Sequence, residues 1–261
     1  MGYVNRGSRT LRGRDVFPVL RPAGTEYLNS SRASAAVQTR REPESTIPEK
    51  FTEKNGRIRA TVLCVANAHL YGELYGDFLR ARKQVFIDTK SWDLPQVEGM
   101  EFDQYDTPQS KSIVLHEYGE ILAGIRIMPT RARCGCYSYM LRDAQLGVID
   151  TIPQHVLFEQ APVADYVWEA TRLFISPNVP AKRRTLIQSR LMLEMAAATV
   201  KEGATHVVGI VPYVFVRWLE RLGLGALPIG PKITYGGDTT QAAMIHVAAV
   251  GATGYVFQGA D

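Results

Sequence analysis

Residues 181–201 carry a regular helical pattern between two apolar runs that read as strands, "ADYVWEATRLFIS" before and "THVVGIVP" after. Leu186, Ile187, Leu191, Leu193, Met195 and Ala196 give this helix an apolar face, and Gly203 closes it. A long helix with such a face between two strands points to a fold that mixes helices with a sheet. Periodicity elsewhere predicts a first strand at Arg57–Val65 and a helix running to Ile87 on Leu70, Leu74, Phe78, Leu79, Val85 and Phe86. It also predicts a hairpin in which Ser112–Glu117 and Ile121–Met128 flank a turn at Tyr118-Gly119. "YVFVRWLERLG" reads as a helix ending at Gly223, and "ALPIGPKITY" and "AMIHVAAV" as late strands. Trp92–Thr107, broken by Pro95 and Gly99, reads as a loop. This succession predicts an α+β or α/β three-layer sandwich around a mixed, partly antiparallel sheet flanked by helices.

The chain has 261 residues, enough for one domain of about 200 residues and a tail. Residues 1–50 are rich in Ser, Arg, Pro and Gly and follow neither period, so a disordered basic extension is expected there and the folded domain over 51–261. That extension holds nine basic groups against five acids and so accounts for the net charge of +4, since 21 face 21 in the remainder. A neutral body does not predict a nucleic-acid partner; only the Arg-rich tail hints at a polyanion. Apolar runs such as Val207–Val216 and Ala242–Val250 fall short of the roughly 18–20 residues of a membrane-crossing helix. No secretory pattern is legible near Met1, and a cytoplasmic protein with no membrane partner is expected. Cys64, Cys134 and Cys136 read as reduced thiols, and Cys134-Gly-Cys136 has a shorter spacer than zinc pairs use, so no metal is expected.

Chemistry-bearing side chains crowd into "RARKQVFIDTKSWDLPQVEGMEFDQYD", Arg80–Asp106. Arg82 and Phe86 are four apart on one helix and leave the same face. Trp92, Glu101, Asp103 and Asp106 follow where the chain has left that helix and can fold back over Arg82. Singly, each fits an amphipathic helix, a core tryptophan or a solvated acidic loop. Farther on, Glu169 and Arg172 sit within the apolar "VWEATRLF", as Arg126 does within "AGIRIMPT". In a regular strand, residues three apart point to opposite faces, so Glu169 and Arg172 share a pocket only if a bulge intervenes. Charges in such surroundings are paired, and a structural ion pair and a catalytic role are equally open at this point.

The series Arg82-x3-Phe86-x5-Trp92-x10-Asp103-x2-Asp106, then Arg126 in "GIRIMPT", then Glu169-x2-Arg172, resembles the signature of the LuxI-type acyl-homoserine-lactone synthases, the autoinducer synthases of bacterial quorum sensing. The likeness runs from Arg59 to Gly230. It implies a fold similar to the GCN5-related N-acetyltransferases. It also implies a reaction between S-adenosylmethionine and an acylated acyl-carrier protein or acyl-CoA, giving an N-acyl-homoserine lactone, methylthioadenosine and the free thiol carrier. S-adenosylmethionine and the acyl thioester are then substrates, and no cofactor is implied. The resemblance assigns Arg82, Phe86, Trp92, Asp103, Asp106 and Arg126 to S-adenosylmethionine, whose adenine, sulfonium, amine and carboxylate suit aromatics, acids and an arginine fork. Glu169 becomes the candidate base for the amine, or its orienter, with Arg172 positioning Glu169 or the substrate.

For the acyl chain the resemblance implies a pocket between the sheet and the late helices, with Met128, Leu173, Val208, Ile210, Val211 and Phe215 as candidates. Val211 stands where the family often has a threonine alongside 3-oxo-acyl substrates, which points to chains without that oxygen. "VPAKRRTL" lacks the glycine with which the related acetyltransferases cradle a pyrophosphate, in favour of a carrier-borne phosphopantetheine arm. Lys182, Arg183, Arg184, Arg217 and Arg221 are candidates for docking an acidic carrier, against the competing reading of ordinary solvated helix faces. Two other functions stay open: an acyltransferase acting on another amine without lactonisation, and a non-catalytic polyanion-binding protein using the Arg-rich tail.

Overall fold

The computed structural model describes residues 58–235 and 238–248; the expected basic extension lies outside the described residues. In chain order the elements are β1 (Arg59–Leu63), α1 (Leu74–Lys83), β2 (Gln96–Val97), β3 (Met100–Glu101), β4 (Lys111–Glu117), β5 (Glu120–Pro129), α2 (Met140–Gln145), β6 (Val167–Ile175), α3 (Ala181–Lys201), β7 (His206–Pro212), α4 (Phe215–Arg221), β8 (Gly225–Tyr235) and β9 (Asp238–His246). The main sheet has the order β1-β4-β5-β6-β7-β9-β8, and β2 pairs with β3 apart from it. Its neighbours run antiparallel except β6 and β7, the parallel pair joined by the α3 crossover. Tyr118 and Gly119, both at positive φ, make the tight turn of the β4–β5 hairpin.

Strict alternation sorts the side chains to two faces. Ile113, Leu115, Ile125, Ile127, Trp168 and Val207 pack with Ile187 and Leu191 of α3 and Phe215 and Leu219 of α4. On the other face Leu63, Val114 and Phe174 receive Phe78, Leu79 and Phe86, and Met128 and Val208 pack with Tyr139 and Leu141. α1 sits very close to β5, because a Cβ on Gly124 would meet the Phe78 ring at 2.5 Å. The result is the expected three-layer arrangement.

Three local features were not legible in advance. The first helix stops at Lys83 and continues as one π-helical turn, Gln84–Thr89. That turn ends with the Trp92 amide donating to the Phe86 carbonyl at 2.9 Å, which folds the Trp92 ring back on Phe86 at 5.2 Å between centroids. The expected loop contains the small β2–β3 hairpin, and α2 is an additional helix.

Candidate active site

Three arginines and three carboxylates close into one ring beneath α1. Arg82 donates from Nε to Glu101 at 2.5 Å and from both terminal nitrogens to Asp106 at 2.7 and 3.0 Å. Arg126 faces Asp106 at 3.0 Å and forks onto Asp103 at 2.5 and 3.1 Å. Arg172 completes the circuit, reaching Asp103 at 2.6 Å and Glu101 at 3.1 Å. The ring alternates in sign, sums to zero charge and is largely closed to water: Arg82, Arg126 and Glu101 are fully buried, the Asp103 and Asp106 side chains retain 3% and 2% exposure, and that of Arg172 retains 8%. Burial opposes ionisation of Asp103, but Arg126 and Arg172 override it and hold the carboxyl well below the usual range. Burial likewise opposes the charge on Arg126, and Asp103 and Asp106 outweigh it.

Arg172 joins this ring because of a bulge. Between the pairs Arg126↔Thr171 and Gly124↔Phe174, β5 has one residue and β6 has two. Regular alternation would send residue 172 to the α3 face with Trp168 and Ala170; instead Arg172 adopts φ 55° and turns to the site face. A non-glycine residue there costs about 1–3 kcal/mol, and persists where its surroundings over-determine it. Aromatic rings line the arginines: Arg82 lies 5.6 Å from the Phe78 centroid, Arg126 5.7 Å from Tyr105 and Arg172 5.7 Å from Phe86.

Glu169 stands on the same face, fully buried, but outside the ring. Its oxygens accept the amides of Met140 at 2.9 Å and Leu141 at 2.8 Å, the first two residues of α2. Burial pushes its carboxyl up to about 7, against those two amides and Arg126, which pull it down. Burial therefore favours its protonated form more than it would be favoured in an exposed glutamate. Glu169 pairs with Val208 at the last register position shared by β6 and β7; beyond it the two strands part.

The structure thus brings Arg82, Asp103, Asp106, Arg126 and Arg172 into one network, with Phe86 and Trp92 stacked beside it and Glu169 on the same sheet face. Arg172 is bonded to Glu101 and Asp103, whereas the donors on Glu169 are backbone amides. The acyl-pocket candidates do not come together: Met128, Val208 and Ile210 belong to the cluster on the site face, while Leu173, Val211 and Phe215 belong to the α3–α4 face. Among the docking candidates, Lys182, Arg217 and Arg221 are exposed, Arg183 pairs with Glu117 at 3.0 Å, and Arg184 donates to the Ser176 carbonyl. Glu101, Thr171 and Asp143 were not singled out as site residues. Glu101 lies in the same acidic run, which was the available signal, and Thr171 accepts from Arg126 Nε at 3.0 Å. A cleft of about 700 Å³ opens at the start of α1 among Arg59, Tyr71, Asp77, His116 and Tyr118, and none of the expected site residues lines it.

The fold matches solved acyl-homoserine lactone synthases. One is BjaI, a CoA-dependent enzyme solved with SAM and isopentyl-CoA (19% identity, TM-score 0.61, 75% of this chain and 87% of that one). Another is TofI, in a ternary complex with an inhibitor and MTA (22% identity, TM-score 0.58, 74% and 96%). The fold is thus the one these synthases share, a mixed sheet with helices on both faces. The acyl-homoserine-lactone synthase of Ralstonia solanacearum is 29% identical over 173 residues, 64% of this chain and 79% of that one, and that of Vibrio anguillarum 25% identical over 180, 66% and 85%. The autoinducer synthase family profile matches residues 68–250, and the chain belongs to that family.

Proposed function

We propose that this protein acylates the amine of S-adenosylmethionine from an acyl thioester and closes the product to an N-acyl-homoserine lactone for quorum sensing. The observation that carries the reading is Glu169, a buried carboxylate poised near pH 7 where β6 and β7 separate. Glu169 takes a proton from the substrate ammonium. The freed amine attacks the thioester carbonyl, the carbon–sulfur bond breaks, and the second proton leaving nitrogen passes to the departing thiolate to give the amide and the thiol carrier. The substrate carboxylate oxygen then attacks the carbon next to the sulfonium, expelling neutral methylthioadenosine and closing a five-membered ring, a step favoured by holding the chain folded. S-adenosylmethionine approaches from the side of Phe86, Trp92 and Arg172, where the ring comes nearest to solvent. The acyl chain lies on the same face along Met128, Val208 and Ile210. The reaction belongs in the cytoplasm, where both substrates are made.

Incubating the purified protein with S-adenosylmethionine and acyl-carrier proteins or acyl-CoAs of graded chain length tests the reading by mass spectrometry. Lactone and methylthioadenosine in equal amounts are expected. An acyl amide without methylthioadenosine would favour the simple acyltransferase, and no product with any donor would exclude both. Across pH, kcat/KM is expected to rise with unit slope through about 7 and then level, since the base must be ionised. A profile flat from pH 5 to 9, well past the limb expected of such a base, would remove Glu169 from that role.

An acidic carrier is expected to dock on the exposed basic groups of α3 and α4, whose apolar residues share one cluster. Reversing charge at Arg217 and Arg221 together should raise KM for the acyl-carrier substrate several-fold at low salt and leave KM for S-adenosylmethionine unmoved. Equal KM values for variant and parent would place docking elsewhere.

A further inference from the structure

Glu169 takes its position from two backbone amides, so its geometry depends on where α2 begins. α2 has six residues and no side-chain cap at its N-cap, Tyr139. So short a helix does not hold its own start. Asp143 supplies what the cap does not. From the first turn its carboxylate reaches back to Ser138, whose amide donates at 2.8 Å to Oδ2 and 3.1 Å to Oδ1 and whose hydroxyl donates to Oδ1. The hydroxyl of Tyr105 donates to the same carboxylate at 3.1 Å. Tyr105 is itself anchored in the charge ring: its amide donates to Asp103 at 2.8 Å, and its ring lies against the Arg126 guanidinium. Asp143, Tyr105 and Ser138 are 1%, 3% and 4% exposed, so these hydrogen bonds are made away from water, where leaving one unmade costs most.

We propose that Tyr105, Asp143 and Ser138 form a strut between the charge ring and the start of α2, which holds the amide pair under Glu169 and tunes its carboxylate. Asp143 and Tyr105 are then positioning residues, acting through Glu169 and not on the substrate. The inference rests on the reading of Glu169 as the group that handles the amine proton.

The charged and titratable groups facing Glu169 are Arg126 from β5, Asp143 from α2, Tyr105 from the loop after β3 and Tyr139 just before α2. Arg126 lowers its proton affinity and Asp143 raises it. Burial, and then the nearby carboxylates, push both tyrosine hydroxyls well above their ordinary range, so they remain donors. The strut therefore has two separable effects. Asp143 contributes a charge that favours the protonated form of Glu169, and Tyr105 contributes a tie without charge.

The test is a carbon-13 carboxyl titration of the full chain labelled at glutamate, with Glu169→Gln assigning the resonance, alongside the pH profile of kcat/KM. Asp143→Asn keeps an acceptor for Ser138 and removes the charge, and should move both the resonance and the acid limb down by about half a unit or more. Tyr105→Phe leaves the charge but loosens the amide pair that pulls the carboxyl down, so the titration should move up and not down, while kcat falls roughly tenfold at unchanged KM for S-adenosylmethionine. An unmoved Glu169 resonance in Asp143→Asn would overturn the proposal, as would full kcat in Tyr105→Phe. The second criterion stands even if Asp143→Asn does not fold. A resonance that shifts as expected in a protein whose kcat/KM ignores pH would keep the strut and remove Glu169 from proton transfer.

Discussion

Lactone formation by Glu169→Gln is expected to fall by about 10²–10⁴-fold in kcat/KM, while affinity for S-adenosylmethionine stays within a few-fold. The two quantities separate because Glu169 lies outside the charge ring and is bonded to the Met140 and Leu141 amides. Glutamine has nearly the same shape and can accept from one of those amides, but it takes no proton from an ammonium. A lone pair on nitrogen is obligatory for attack on the thioester, so the chemical step suffers and binding does not. Calorimetry for S-adenosylmethionine and product mass spectrometry on the same preparation measure the pair of effects. Full turnover in this variant would transfer the base to another group.

Arg126→Met should be the most destabilising single change at the site, by roughly 3–5 kcal/mol, with Tm lowered by about 10 °C or more. Methionine fills much of the volume but leaves the ring with two arginines against three carboxylates, all within a region closed to water. Asp103 keeps Arg172 and loses the fork of Arg126. Adding Asp103→Leu restores neutrality and should recover part of the loss, because the penalty comes from uncompensated buried charge more than from the attraction removed. High salt should rescue neither, since the Debye screening that weakens surface pairs does not reach this interior. Denaturant unfolding that places Arg126→Met within about 1 kcal/mol of the parent would show that the ring is not a closed electrostatic unit.

How much of this was legible in the sequence depended on the length over which a period could be read. The β4–β5 hairpin and α3 announce themselves because each sustains one period over many residues and ends in a turn or a capping glycine. α2, which seats Glu169, has six residues and presents no period. Five of the six ring members were identifiable through the family resemblance, Glu101 being the exception, yet their pairing was not, because which fork meets which carboxylate is decided by how the loop after β3 folds under α1. Arg172 shows the limit most sharply. Alternation sends it to the wrong face, and arginine is not a residue that signals positive φ, so the bulge left no mark in the chain. The acyl-pocket candidates failed to converge for a related reason: Val208 and Ile210 are in phase on β7, Val211 is one residue out, and Leu173 follows the bulge.

That extra residue in β6 also sets what two kinds of genetic accident would do there. A codon exchange within residues 170–174 alters one side chain and leaves its neighbours aimed as before. Loss of the codon for residue 172 would draw the strand straight and leave both flanks in phase, since Thr171 and Phe174, already paired with Arg126 and Gly124, would then stand two apart on the face they now share. Such a shortening should therefore keep the strand's alternation and remove only the third arginine from the charge ring.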